Sequence, residues 1–185
     1  MPWLIGILAV TLLLYFIIAY NSLVKTRNML REAWSGIDVQ LKRRSDLIPS
    51  LVETVRGYSS HEQSLFEEVA AKRALAMEAK GAQAKGVAEN ALSGSIRSLF
   101  ALAEAYPDLK AAGNFLALQE QLVEIEDQIQ LARRYYNGAV RMLNNKVESF
   151  PSNLIAKLTG FAPADFFTLE LATERQAPEI KWEKK

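Results

Sequence analysis

The residues that could do chemistry are few, and they do not form a catalytic set. The chain has no cysteine and one histidine, His61. The stretch "HEQSL" lacks the second histidine of the helical zinc-protease motif, so we expect the nearby Glu67 and Glu68 to be a solvated pair. No histidine is placed to activate a serine, and "KGAQAKG" lacks the spacing of a phosphate-binding loop. The sequence therefore predicts no catalytic, cofactor-binding or metal-binding residues, and a protein that is not an enzyme.

The basic side chains are the other chemically notable groups. With 22 Lys plus Arg against 21 Asp plus Glu, the near-neutral charge gives no reason to expect nucleic acid as a partner, and no small-molecule substrate is expected. Lys25, Arg27 and Arg31 follow a long apolar stretch. They either set the topology of a membrane protein, which we favour, or attract anionic lipid headgroups by about 1 kcal/mol each.

The apolar stretch "PWLIGILAVTLLLYFIIAY" precedes the first charged side chain, Lys25. About 20 residues rising about 1.5 Å each span about 30 Å of hydrocarbon. A cleaved signal peptide is less favoured, because a basic start and a convincing small-residue cleavage site are missing. We therefore expect residues 1–24 to be a retained, single-pass transmembrane anchor. The positive-inside rule places its N-terminus outside and the rest of the chain in the cytoplasm, with the opposite orientation as the alternative.

An apolar heptad pattern continues beyond the anchor. Its steps alternate between four and three residues, at Leu30, Trp34, Ile37, Leu41, Ile48, Leu51 and Val55. Because the pattern keeps phase across Pro49, we predict one helix, kinked at that proline and ending near Gly57.

Arg44 is the one charged residue at a position where this pattern calls for an apolar side chain. Either its stem packs while the guanidinium reaches solvent, which we favour, or the guanidinium is buried and paired with Glu124, Glu126 or Asp127. A buried pair would add little net stability but could fix the register of the helices. The neighbouring Lys42 and Arg43 are predicted to lie on a solvated face.

The remaining elements complete an all-α chain. Ser60 is a plausible N-cap for a second helix, and Pro107 should stop the pattern that resumes at Leu92. Residues 79–95, rich in Ala, Gly and Lys, predict an interrupted helix or a solvated loop. A long helix has its apolar pattern from Phe115 to Leu143 and runs to about Phe150 and Pro151, with Tyr136 in the core like Trp34. Ser152 should cap a short helix that ends at Gly160.

The predicted architecture is an N-terminal transmembrane helix followed by an elongated antiparallel bundle of three or four helices. Residues 1–24 form the anchor, residues 25–161 the bundle, and residues 162–185 a docked aromatic segment with an extended tail. Phe161, Phe166 and Phe167 should dock on the bundle, because leaving them in water is costly.

Three blocks of sequence resemble the LemA family of bacterial membrane proteins. They are "YNSLVKTRNMLREAWSGIDVQLKRRSDLIPSLVETVRGYSSHE", "AYPDLKAAGNFLALQEQLVEIEDQIQLARRYYNGAV" and "NNKVESFPSNLIAKLTGF". The similarity covers Tyr20 to Phe161, and the ending "QAPEIKW" also fits. It implies a helical bundle behind a membrane segment, no assigned enzymatic activity and a place in the bacterial cytoplasmic membrane. Family members include a magnetosome-membrane protein and are often encoded beside membrane proteins such as a zinc protease.

Three functions are compatible with these observations. The first is a non-enzymatic scaffold or adaptor that binds other proteins, or copies of itself, in membrane organisation or envelope quality control. The second is a membrane-remodelling protein whose basic faces bind anionic lipids. The third is an accessory subunit of a membrane protease, contacting its partner through the "APEIKW" tail.

Overall fold

The computed structural model describes residues 2–59 and 61–168, which form six helices and no strand. The helices are α1 (Pro2–Arg56), α2 (Gln63–Glu78), α3 (Ala82–Ala103), α4 (Pro107–Lys110), α5 (Gly113–Glu148) and α6 (Ser152–Thr159). The predicted all-α class with a long apolar N-terminal helix is confirmed.

The first helix joins the apolar segment to the bundle without a break. It runs for 55 residues and continues through Pro49, as the unbroken heptad pattern predicts. Nearly all side chains before Ala19 are exposed, and from Ala19 onward one face is buried. Within the described residues, this helix alone is long and apolar enough to cross a membrane. The packed part of the molecule therefore begins where the exposed apolar segment ends.

Four helices pack antiparallel in the half of the molecule far from the apolar segment. In α2, Phe66 lies under the Arg56 guanidinium at 5.3 Å, and Arg73 donates to the Ser45 carbonyl at 2.8 Å. This helix therefore runs back along α1. The helix α3 turns outward again, and α5 returns along the buried face of α1, which begins at Ala19. Their shared core contains Ile48, Leu51, Val55, Phe66, Val69, Leu92, Leu99, Leu109, Phe115 and Leu122.

Two expected helix boundaries are wrong by a few residues. Helix α2 begins at Gln63 with Glu62 in the N-cap position and no side-chain cap, so the predicted cap at Ser60 is not used; Ser60 itself lies outside the described residues. Ser59 is buried and donates to the Tyr106 hydroxyl at 3.2 Å, which draws the connection across the end of the bundle before the helix starts. Similarly, Ser152 is the first residue of α6 rather than its cap.

Other helix ends lie closer to the glycine and proline residues that predict them. The alanine-rich region is helical apart from one break between α2 and α3, where Gly81 has a φ of 82°. Of the two predicted alternatives, the interrupted helix is therefore confirmed and the solvated loop is wrong. Gly160 ends α6 in the left-handed conformation. Helix α3 ends at Ala103, before Pro107, and that proline starts the single turn of α4.

The chain then runs back along α1 and α5 as a non-helical return segment, residues 161–168. Phe167 is fully buried, 6.0 Å from the Trp34 ring, and Phe161 packs on Tyr20 at 6.2 Å. Phe166 is 44% exposed, so its predicted docking is wrong. Adjacent side chains of an extended segment point to opposite sides, so burial of Phe167 turns Phe166 outward. The predicted tail lies outside the described residues.

Candidate interaction site

A charged cluster is buried at the centre of the four-helix region. Arg44 of α1 has no solvent exposure, and its guanidinium pairs with Glu89 of α3 and Glu126 of α5. It also donates to the Ser93 hydroxyl at 2.8 Å. The favoured prediction that Arg44 reaches solvent is therefore wrong, and the buried alternative is right. The side chain faces α3 and α5, where two carboxylates balance its charge, so the guanidinium does not have to reach solvent.

The sequence identified only part of this cluster. Glu126 is one of the three predicted partners, whereas Glu124 and Asp127 are exposed. Glu89 was missed because it lies in the alanine-rich stretch with little apolar bulk. Its spacing was an available signal, since it stands three residues before Leu92, on the same buried face of α3.

The charges of this cluster depend on one another. Burial raises the pKa of the Glu89 carboxyl, while the attraction of Arg44 opposes that rise. Burial alone would lower the pKa of Arg44, but the combined attraction of Glu126 and Glu89 outweighs it and raises that pKa. Lys85 stands 4.0 Å from the second Glu89 oxygen. Arg44 is therefore a fixed cation whose loss would leave Glu89 buried without its main counter-charge.

An open groove of about 360 Å³ lies beside the cluster, between α3 and α5. Most of the surface that its walls expose is apolar. Its apolar lining residues are Ile96, Phe100, Leu122 and Val123, and its polar ones, which contribute less surface, are Asn90, Ser93, Arg97, Glu126, Asp127 and Gln130. No nucleophile and histidine base meet among these lining residues. An apolar groove with a few polar groups is suited to binding a side chain or a peptide segment.

The return segment shows how asparagine side chains of α5 bind an extended backbone. Asn144 exchanges two hydrogen bonds with Ala164, at 2.8 and 3.0 Å, and Asn137 does the same with Phe167, at 2.9 and 3.0 Å. Seven helical residues rise about 10 Å, and three extended residues also span about 10 Å, so the two asparagines match the backbone spacing.

Thr168, the last described residue of the return segment, lies beside the groove. The Asn90 amide, which lines the groove, donates to the Thr168 carbonyl at 3.4 Å. Beside it, a Cβ on Gly86 would stand 2.6 Å from the Thr168 oxygen, so this close approach requires glycine. Tyr136 is buried as predicted, and its hydroxyl donates to the Asp165 carbonyl at 3.0 Å.

The predicted basic residues near the apolar segment of α1 are in different environments. Lys25 and Arg31 are exposed, whereas Arg27 is half-buried with its guanidinium 4.7 Å from the centre of the Phe161 ring. A fourth cation, Lys146 of α5, was not anticipated; it donates to Ser22 at 2.8 Å, which joins α5 to the base of the bundle.

The more distal pair of basic residues lies on the surface. Lys42 pairs with Asp46 at 3.0 Å, and Arg43 donates to Gln40 at 3.1 Å; both basic side chains are exposed. The predicted solvated face is therefore confirmed.

Over residues 2–59 and 61–168, no group of three histidine, cysteine, aspartate or glutamate residues could hold a metal ion.

Comparison with known proteins connects this architecture to bacterial relatives. The sequence model described as "LemA family" matches residues 33–182. The chain is 25% identical to "Magnetosome protein MamQ 2" of Paramagnetospirillum magneticum, over 80% of this chain and 64% of that protein. It is 23% identical to "Magnetosome protein MamQ" of Magnetospirillum gryphiswaldense over the same shares, and 26% identical to "Protein LemA" of Metamycoplasma hominis over 74% of this chain and 63% of that protein. The chain thus spans just under two thirds of the length of each relative.

Proposed function

The chain belongs to the LemA family, and from that premise we propose that it is a membrane-anchored helical scaffold without enzymatic activity. It acts through protein–protein contact in membrane organisation or envelope quality control. The names of the magnetosome relatives associate those proteins with a cellular structure, and this association supports a role in membrane organisation. The groove between α3 and α5 is the observation on which the proposal rests.

The groove combines exposed apolar surface with a rigid base. Val123 is 58% exposed on its wall, and the wall continues into the core through Leu122 and Ile96. The ion pairs of Arg44 join the three helices beneath it. A rigid site loses little conformational freedom when a partner binds, so more of the contact energy contributes to affinity. The partner we propose is a protein segment that inserts apolar side chains here.

The anchor and its orientation are part of the same proposal. Residues 1–24 anchor the protein in the bacterial cytoplasmic membrane, residues 25–161 form the bundle that meets partners, and residues 162–185 follow the bundle. Lys25, Arg27 and Arg31 set an orientation with the N-terminus outside and the bundle in the cytoplasm. Because the chain has no cysteine, Leu116→Cys in whole cells tests this directly. A membrane-impermeant maleimide should label it only after the inner membrane is opened. Labelling of intact spheroplasts would show the opposite orientation.

The groove is tested by a matched pair of variants in the full chain. Val123→Arg places a charge on the groove wall, whereas Val39→Arg changes an equally exposed valine of α1, 53% exposed, away from the groove. Both proteins are cross-linked in native membranes and purified in mild detergent. We expect at least one cross-linked species, a different protein or a second copy, that Val39→Arg retains and Val123→Arg loses. Recovery of uncross-linked chain alone, or identical species from both variants, would count against the proposal.

Anionic-lipid binding is the second candidate, and the exposure of Lys25 and Arg31 next to the anchor favours it. Changing both to glutamine in the full chain should then reduce the anionic phospholipid that copurifies from mixed-lipid nanodiscs. Equal lipid retention by both proteins would exclude this function. The third candidate, a protease accessory that binds through "APEIKW", depends on residues outside those described, and it stays a prediction.

A further inference from the structure

A stripe of large apolar side chains remains exposed at the end of the bundle nearest the anchor. Phe150 is 80% exposed, Leu154 61% and Leu158 76%. They are four residues apart, and in α6 this spacing places Leu154 and Leu158 on one face of the helix. The other face of α6 is buried through Ile155 and Ala156, which pack on α1. The helix therefore has two apolar faces, and the bundle covers only one of them.

The position of α6 along α1 identifies the second partner. Ile155 and Ala156 pack against Ala19 and Leu23, and Ser152 lines the same crevice as Tyr15 and Ile18. If residue 2 begins the span, about 20 residues are needed to cross about 30 Å of hydrocarbon, so the span ends near residue 21. The start of α6 is thus level with the last turns of the span, at the depth of the membrane interface.

We infer that α6 is an interfacial helix, and that its residues Leu154 and Leu158, together with Phe150 just before it, insert into the bilayer beside the anchor. This inference rests on the anchoring in the proposed function. Tyr15 and Ile18 of α1, which share a crevice with Ser152 at the start of α6, are also exposed, and in that arrangement they are in lipid. Lys157 of α6 and Lys25 of α1 are both exposed nearby and place positive charge at headgroup height. A bilayer satisfies the apolar stripe and these cations together.

The absence of native cysteine makes the test direct. Three full-length variants, Leu154→Cys, Leu116→Cys and Leu8→Cys, are labelled with an environment-sensitive fluorophore and reconstituted into nanodiscs. Each original leucine is exposed, and helical content by circular dichroism should match the parent protein. Phospholipids with a nitroxide on the acyl chain then report contact with hydrocarbon.

The probe at residue 154 should be quenched several-fold more than the probe at residue 116, which lies at the far end of α5. Its emission should also shift to the blue. Quenching at residue 8 without quenching at residue 154 would overturn the interfacial role of α6 and leave the anchor intact. No quenching at residue 8 would overturn the anchoring, and this inference with it. A Leu158→Cys probe gives an independent repeat on the same face.

Discussion

Replacing Arg44 with leucine should destabilise the bundle strongly while leaving it helical. The Glu89 carboxylate is 2% exposed and would lose its main counter-charge, whereas Glu126 is partly exposed and can be solvated. Removing one partner of a buried ion pair costs about 3–5 kcal/mol. For a chain of this size each kcal/mol corresponds to about 2–4 °C, so the melting temperature should fall by about 6–20 °C.

The measurement is a thermal melt of full-length protein in detergent, followed by circular dichroism. Lys42→Leu is the matched control, because it removes an exposed ion pair two residues away and should cost less than about 1 kcal/mol. The double variant Arg44→Leu with Glu89→Leu should be less destabilised than the sum of the two single changes, since no charge is stranded. A melting temperature for Arg44→Leu equal to that of Lys42→Leu, or strictly additive effects, would refute the reasoning.

The same variant should have a characteristic pH dependence. The pKa of Glu89 is already raised by burial, and loss of Arg44 removes the largest opposing influence. A carboxyl whose pKa is higher in the folded state contributes stability that is fully present below its unfolded pKa. That contribution is lost as the pH rises through the folded value. The deficit of Arg44→Leu should therefore be smaller at about pH 5 than at about pH 8. A deficit that grows on acidification would contradict this assignment.

Two further changes test the return segment. Gly86→Ala should displace Thr168, because the added Cβ would meet its carbonyl oxygen at 2.6 Å, whereas Gly138→Ala has open space and serves as the control. Faster proteolysis after α6 in Gly86→Ala alone is the expected result, and equal cleavage of both would contradict it. Asn144→Ala removes both hydrogen bonds to Ala164. It should lower the melting temperature by a few degrees, at about 1 kcal/mol per bond, and an unchanged melting temperature would contradict a stabilising role of these bonds.

Patterns with many repeats along the sequence predicted the fold well. The heptad spacing of α1 kept its phase through Pro49, and the helix is continuous there. The steps of three and four residues from Phe115 to Leu143 correspond to α5 and its buried face. Such patterns report the period of a helix directly, so a single irregular residue does not hide them.

The candidate site was less accessible from the sequence, because it depends on contacts between distant segments. Arg44 stood out as a charge at an apolar position, but whether its head is buried depends on carboxylates 45 and 82 residues away. The return segment gave no periodic signal at all. Its path is set by Asn137 and Asn144, whose amides bind backbone rather than side chains. Asparagine on a helix surface carries no sequence mark that distinguishes this use from solvation.

The unbroken course of α1 has a mechanical consequence. In the proposed anchored arrangement no loop separates the span from the bundle, so the helix acts as a lever and any change in the tilt of the span moves the far end of the molecule. From Val24 to Arg56 the helix rises about 48 Å, so a tilt of 20° displaces its tip sideways by about 16 Å. Inserting one residue after Val24 would turn every surface of the bundle by about 100° around the span axis. In that arrangement, the direction in which the groove points is determined inside the bilayer.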